Sequence, residues 1–226
     1  MPLVLLYLLS ACSDTDISYF PVEKGRRWQY DIETKTVEGT RRKKDIVQVM
    51  GSVEKDQTHL VGFRSASGQK SAFTKNADEV RIYKGDYANT AEIDEQALHT
   101  TILKYPVEVG KNWESVITTS TIATYDRKAG NFIENIPVIV TIESVQETLD
   151  LPAGKFRHCL KISARGQKLI PKGTYAYQEK MELKIINTRW YAKGVGLVKE
   201  EHQEISGVLD YPDSGYIKTL ESYAAP

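Results

Sequence analysis

The sequence predicts an all-β chain: an antiparallel meander rolled into a strongly curved sheet or partly open barrel, with at most one short helix. Three observations predict it. Apolar and β-branched residues alternate with polar ones over most of the length, the period-two pattern of half-buried strands. Turn signals recur often enough for about ten to twelve strands, and a twisted sheet that wide curls rather than staying flat. Finally, Pro-Val-Glu-x-Gly-x-x-Trp occurs twice, at Pro21–Trp28 and Pro106–Trp113. The spacing is too long for a solenoid repeat and suits an internal duplication, two related halves at about 19–104 and 105–226. The stretches after each copy also correspond. Ser52-Val53 and a run through Phe63 to Ser67-Gly68-Gln69-Lys70 match Ser144-Val145 and a run through Phe156 to Arg165-Gly166-Gln167-Lys168.

Pro2 to Leu9 is almost wholly apolar, and Leu9-Ser10-Ala11-Cys12 follows at once. Such a run is too short to cross a bilayer, which takes roughly 20 residues, and has the length of a signal-peptide apolar region. Leu-Ser-Ala-Cys resembles the bacterial lipobox. The resemblance implies that residues 1–11 are a lipoprotein signal peptide and that Cys12 becomes the lipidated first residue, with a diacylglycerol thioether and palmitate-type chains. Residues 12–18 would then tether a single domain over 19–226. Ser13, by resemblance to the sorting rule of enteric bacteria, implies an outer-membrane anchor facing the periplasm. The pattern departs from a signal peptide in having no Lys or Arg before Cys12. Either the true start lies upstream of Met1 or translocation relies on the free amine alone. The alternative is a buried N-terminal strand with an inert thiol.

From Trp28 the chain alternates, with Trp28, Tyr30, Ile32, Thr34 and Thr36 on one face, and Glu38-Gly39-Thr40 turns it. Residues 45–53 return, with Val47, Val49 and Val53 together. Thr58–Arg64 and Ser71–Thr74 are short strands about the Ser67-Gly68 turn, and Val80, Ile82 and Tyr83 make another. Residues 89–103 hold the candidate helix: Asn89 and Glu92 have capping-box spacing, and Ile93, Ala97, Leu98 and Ile102 fall near helical spacing. His99–Leu103 reads equally well as a strand entering Tyr105-Pro106. Trp113–Thr121 alternates again, and Ile136, Val138, Val140 and Ile142 share a face. Leu151–Phe156 turns into a strand over His158–Ala164. The longest amphipathic strand, Thr174–Ile186, carries Tyr175, Tyr177, Met181, Leu183 and Ile185 on its apolar side. Trp190–Lys199 is a tight turn into a strand whose far end carries Glu200, Glu201 and His202, and Gly215–Tyr223 closes the sheet. Trp28, Trp113 and Trp190 are each expected to open a strand and plug the concave face.

Thirty basic residues balance thirty acidic ones, so the formal net charge is zero. A neutral, interspersed surface lacks the concentrated positive field that phosphate binding needs, which argues against nucleic acid. Arg41-Arg42-Lys43-Lys44, the one basic cluster, reads as the solvated end of a hairpin. A chain of this length buries roughly 70% of its unfolded surface and needs neither disulfide nor metal to hold a core. With Cys12 acylated, Cys159 has no intramolecular partner.

The Tyr-x-Pro-x-x-x-Gly-x-x-Trp opening, Leu-Pro-Ala-Gly-Lys-Phe (151–156) and Trp-Tyr-Ala-Lys-Gly-Val-Gly-Leu-Val-Lys (190–199) stand in order along the chain. This ordered set resembles a family of bacterial lipoproteins and periplasmic proteins built on a domain of unknown function. The resemblance implies a β-domain on a lipid anchor and supplies no catalytic residues.

Sites of known chemistry are not visible. His59, His99, His158 and His202 stand singly, without metal-ligand spacing. His158 and Cys159 are neighbours, so a strand points them to opposite faces and they form no nucleophile–base pair; Cys159 reads as a buried inert thiol. No phosphate loop, dinucleotide fingerprint or nucleophile elbow occurs. Asp210, Asp213 and Ser214 around Pro212 read as a capped turn rather than a calcium site, and Glu200, Glu201 and Glu204 as a solvated strand end. The expectation is therefore a protein that is no enzyme, holds no cofactor or metal, and sits on the membrane through its lipid. It would act as a structural or assembly module meeting an envelope protein partner. The alternative is a carrier or chaperone for an apolar ligand such as lipid or an acyl chain, with Tyr175, Tyr177, Met181 and Leu183 lining a shallow groove near the sheet's open edge.

Overall fold

Ile136-Pro137-Val138-Ile139-Val140-Thr141-Ile142 shows in miniature what makes the chain. Ile136, Val138, Val140 and Ile142 are buried, while Pro137 and Ile139 between them are exposed. Branched side chains, stiff at χ1, fit a pleated half-buried surface better than a helix.

The computed structural model describes residues 18–55, 57–68, 70–84, 99–121, 133–171, 180–209 and 211–226. Among them are twelve strands and no helix. The first half holds β1 (Arg27–Thr36), β2 (Gly39–Lys55), β3 (Thr58–Ser65), β4 (Lys70–Lys75), β5 (Glu79–Lys84) and β6 (His99–Lys104). The second holds β7 (Asn112–Thr118), β8 (Asn135–Leu151), β9 (Gly154–Pro171), β10 (Lys180–Ala192), β11 (Gly196–Ile205) and β12 (Ser214–Ala224). Sequence neighbours pair antiparallel within each half, and β12 returns to pair with β1, so the sheet runs β6-β5-β4-β3-β2-β1-β12-β11-β10-β9-β8-β7. The result is the all-β, partly open barrel that the alternation predicts.

The two ends of that order, β6 and β7, meet without a backbone ladder. Side chains bridge them instead. Thr100 Oγ1 donates to Val116 O at 2.7 Å, Thr101 N–H to Ser115 Oγ at 3.0 Å, and the Trp113 indole N–H to Thr101 O at 3.1 Å. The seam matters because an unpaired strand edge is a template for further pairing.

Residues 99–104 are strand β6, with Thr100 and Thr101 paired to Ile82 and Arg81 of β5; residues 89–98 of the candidate helix lie outside the described residues. The basic run is the solvated hairpin end expected: Arg41–Lys44 are exposed in β2 just past the β1–β2 turn, where Lys44 faces Asp31 and Arg42 faces Glu33. One expectation is corrected. Trp190 closes β10 rather than opening a strand, on the face opposite Arg189. There it packs with Phe156 and Cys159 under the ammonium groups of Lys161 and Lys199.

The repeated motif builds the same turn twice. Gly25 and Gly110 take φ of +92° and +88°, a left-handed conformation that glycine adopts without strain. Gly25 N–H donates to Val49 O and Val49 N–H to Arg26 O. In the second copy Gly110 N–H donates to Ile142 O and Ile142 N–H to Lys111 O. Each turn delivers a buried tryptophan at the second residue of its strand, Trp28 to β1 and Trp113 to β7. Each indole N–H finds a backbone carbonyl, Val195 O at 2.6 Å for Trp28 and Thr101 O for Trp113. Ahead of the first turn, Tyr19 and Phe20 are buried against the core, and Gly194 N–H donates to Ser18 O, which fixes the leading segment beside the β10–β11 turn.

Truncating Trp28 or Trp113 to Ala is expected to cost about 3–5 kcal/mol, the range for a buried large aromatic. Trp→Phe, which strands a buried carbonyl, is expected to cost about 1–3 kcal/mol. Urea unfolding midpoints read both. A loss below about 1 kcal/mol for either Ala variant would show that its turn holds without the indole.

Candidate functional site

β11 reads Gly196-Leu197-Val198-Lys199-Glu200-Glu201-His202-Gln203-Glu204-Ile205. Period two sends Glu200, His202 and Glu204 to one face and Glu201 and Gln203 to the other. The first face is the barrel interior, where Glu200, His202 and Glu204 are 7%, 3% and 0% exposed. The reading of Glu200 and Glu204 as a solvated strand end is thereby overturned; only Glu201 fits it.

Antiparallel register lines up partners on both sides. Arg189 of β10, Glu200 of β11 and Lys218 of β12 form one row; Asn187, His202 and Tyr216 the next; Ile185, Glu204 and Ser214 the third. Opposite pairs on one face lie about 4.5–5.5 Å apart at Cβ, so these side chains must satisfy one another. They do. Arg189 Nε–H donates to Glu200 Oε1 at 2.8 Å and Asn187 Nδ2–H to the same oxygen at 2.9 Å. His202 has both ring nitrogens engaged, Nδ1 with Asn187 Nδ2 at 3.2 Å and Nε2 with Glu204 Oε1 at 2.8 Å, and its ring stacks on Tyr216. Glu204 also accepts from the backbone N–H of Ser120 at 2.6 Å and of Thr121 at 3.1 Å. The segment after β7 is thereby tied across to β11.

Burial alone would raise the Glu200 carboxyl, but Arg189 and Lys218 beside it, with the bonds from Asn187 and Arg189, hold it at about 2. Burial likewise opposes the Arg189 charge and Glu200 restores it, leaving the guanidinium protonated. Lys218 goes the other way: burial lowers it, and Glu200 and Asp45 offset only part of that. Burial raises the hydroxyls of Tyr30, Tyr191 and Tyr216, which stay protonated.

The first row floors a cavity of about 220 Å³. Its wall is chiefly aromatic, with Phe20, Trp28, Tyr30, Phe63, Phe73 and Tyr191, and its polar side chains include Arg189, Glu200 and Lys218. Phe20 from the leading segment packs on Tyr191 at 4.7 Å between ring centres and so closes one side. An apolar hollow with convergent polar groups at one end is the usual build of a small-molecule site.

Of the residues predicted for a groove, Met181 and Leu183 are buried in the larger core cluster with Ile185, outside the cavity wall; Tyr175 and Tyr177, like Cys12, lie outside the described residues. Asp213 caps a turn, accepting from Ser206 N–H at 3.0 Å and Gly207 N–H at 3.3 Å, and Asp210 lies outside the described residues. Cys159 is fully buried, and burial pushes its thiol up to about 11. His158 points the other way, to Gln146. The polar rows that sequence reading missed had a signal. Glu-x-His-x-Glu on β11 and Asn-x-Arg on β10 keep the strand period through residues normally taken as solvated.

Removing one partner of a buried ion pair strands the other charge, so Glu200→Gln is expected to cost about 3–5 kcal/mol, while Arg189→Met combined with Glu200→Leu recovers most of it. The pH dependence has a definite sign. The folded carboxyl sits at about 2, below its ordinary 4.5, so the unfolded chain takes up the proton first. The pair's contribution is full above about pH 4.5 and drains as the pH falls toward about 2. Denaturant midpoints across pH 2–7 should show this acid slope in the wild type and lose part of it in the double variant. Equal slopes would show that Glu200 is not held down.

A search of the curated proteins found no match. Among solved structures, the chain is similar to a Bacteroides fragilis protein described as exported, with a YmcC-like fold, at 15% identity and a TM-score of 0.47. It is also similar to a Parabacteroides distasonis protein described as a lipoprotein, at 15% identity and a TM-score of 0.44. Each alignment covers 91% of this chain and 98% of the other. The DUF3108-like family profile matches residues 29–210, which takes in β1 through β11 and with them Arg189, Glu200 and the duplicated tryptophan of β7. The chain belongs to the DUF3108-like family.

Proposed function

We propose that this is an exported, lipid-anchored protein of the cell envelope whose barrel holds a small apolar ligand. The cavity at the Arg189–Glu200–Lys218 row carries the reading, because packed interiors leave few voids larger than a water molecule. A purely structural module has no use for an aromatic hollow with charges at its end. The reading is non-enzymatic: His202, the nearest candidate base, spends both ring nitrogens on Asn187 and Glu204.

The anchor reading rests on the Leu-Ser-Ala-Cys sequence and fits the geometry of the chain's start. Ser18 is held beside the β10–β11 turn. Cys12 to Ser18 reaches at most about 20 Å when extended, so a lipid on Cys12 keeps that end of the barrel at the bilayer. An outer-membrane anchor facing the periplasm is the arrangement we favour, from Ser13.

Two measurements test this. Cys12→Ser is expected to move the protein from the membrane to the soluble fraction and remove the added lipid mass; a wild type without that mass overturns the anchor. The released Cys12→Ser protein, purified without detergent, is expected to yield an apolar small molecule on solvent extraction and mass spectrometry, or to take up an environment-sensitive fatty-acid probe at micromolar concentration. An empty extract together with no probe uptake overturns the carrier.

A further inference from the structure

We propose that the cavity's polar end is a carboxylate-recognition site, and that its ligand is a short, single-chain amphiphile whose head is held by Lys218, with Arg189 occupied in holding Glu200. This rests on the carrier reading above and adds the chemical class of the ligand.

Lys218 carries three N–H donors. It pairs with an Asp45 oxygen at 3.9 Å, beyond hydrogen-bond reach, and its ammonium lies 4.3 Å from the centre of the Tyr30 ring. Among the described residues it makes no hydrogen bond, although its side chain is only 17% exposed. Its neighbours Glu200 and Tyr30 bond elsewhere. Glu200 takes bonds from Asn187 and Arg189, and the Tyr30 hydroxyl donates to Leu197 O at 2.9 Å. The wall therefore has donors to spare at one point, which calls for an acceptor on the ligand.

Charge narrows the choice. Lys218 is faced by Glu200 from β11, by Asp45 and Lys43 from β2, and by Arg189 from β10. Glu200 and Asp45 repel any anionic head there, and they repel a phosphate dianion about twice as strongly as a monoanion. A carboxylate is favoured on that ground. The apolar end sets the size. A cavity of 150 Å³ admits benzene, so about 220 Å³ admits roughly nine non-hydrogen atoms by proportion. That fits a medium-length chain or one substituted ring and excludes a whole two-chain lipid.

The test is calorimetric titration of the detergent-free Cys12→Ser protein with octanoate, 1-octanol, octyl phosphate and octylamine, which share one chain and differ in the head. Octanoate is expected to bind about tenfold to a hundredfold tighter than 1-octanol, the ratio for a charge-assisted hydrogen bond. It should also exceed octyl phosphate and octylamine. Adding Lys218→Met should bring octanoate down to the level of 1-octanol, and Lys218→Arg should restore part of the preference. Equal binding of octanoate and 1-octanol by the unaltered cavity overturns the head-group assignment while leaving the carrier intact, and needs no variant to fold. Tighter binding of octylamine overturns it in favour of Glu200. Binding of none of the four up to millimolar concentration overturns the carrier reading itself.

Discussion

Two carboxylates on the inward face of one strand are the constraint around which the barrel is arranged. Glu200 is a charge held out of water and the Glu204 carboxyl is fully buried, and an uncompensated buried charge costs several kcal/mol. Each is answered differently. Glu200 is met laterally by Arg189 and Asn187 of the neighbouring strand, so its compensation is built into the β10–β11 register. Glu204 is met from across the interior by backbone N–H groups of Ser120 and Thr121, so its compensation holds the end of β7 to β11. His202 lies between them and joins the two systems into one chain of hydrogen bonds. A one-residue slip of β10 against β11 would turn Arg189 outward and leave Glu200 bare, so the polar rows specify the register more sharply than apolar packing does.

The same requirement bears on how the barrel closes. β6 and β7 contribute only side-chain bridges, a weak seam by the standard of a ladder. The carboxylate of Glu204 reinforces it from within by fixing where β7 ends. The tryptophan of the second turn reinforces it from outside the ladder, since the Trp113 indole donates to Thr101 of β6. At the first turn Trp28 performs the matching task on the β10–β11 connection through Val195. Both copies of the motif thus tie a strand start to a distant segment. Motif and carboxylates together make a ring whose weakest joint is pinned from two directions.

The fold was legible in the sequence because period two is a local signal: the Ile136–Ile142 alternation and the paired turn motifs needed no knowledge of partners. What was not legible depends on pairing. Residues 99–104 fit helix and strand equally until β5 lies alongside. The polar rows were hidden for a related reason. Glu200 and Glu204 read as exposed because buried carboxylates are rare, and only Arg189 and Asn187, more than ten residues away in sequence, make their burial affordable. Met181 and Leu183 alternate as expected, yet alternation says which face is inside and not whether that face is filled. It is filled there, and the hollow lies farther round the ring.

The hollow's position follows from the way the halves differ. By order along the chain, β4, β5 and β6 of the first half correspond to β10, β11 and β12 of the second. The first set lines the cavity with Phe73, Ile82 and Ile102; the second lines it with Tyr191, Glu200 and Lys218. Equivalent strands therefore present an apolar wall from one half and a charged wall from the other. Like turns at Gly25 and Gly110 thus lead into unlike strands, and the space those strands enclose is apolar on one side and charged on the other, which neither collapses into core as two apolar walls would nor fills with water as two charged walls would.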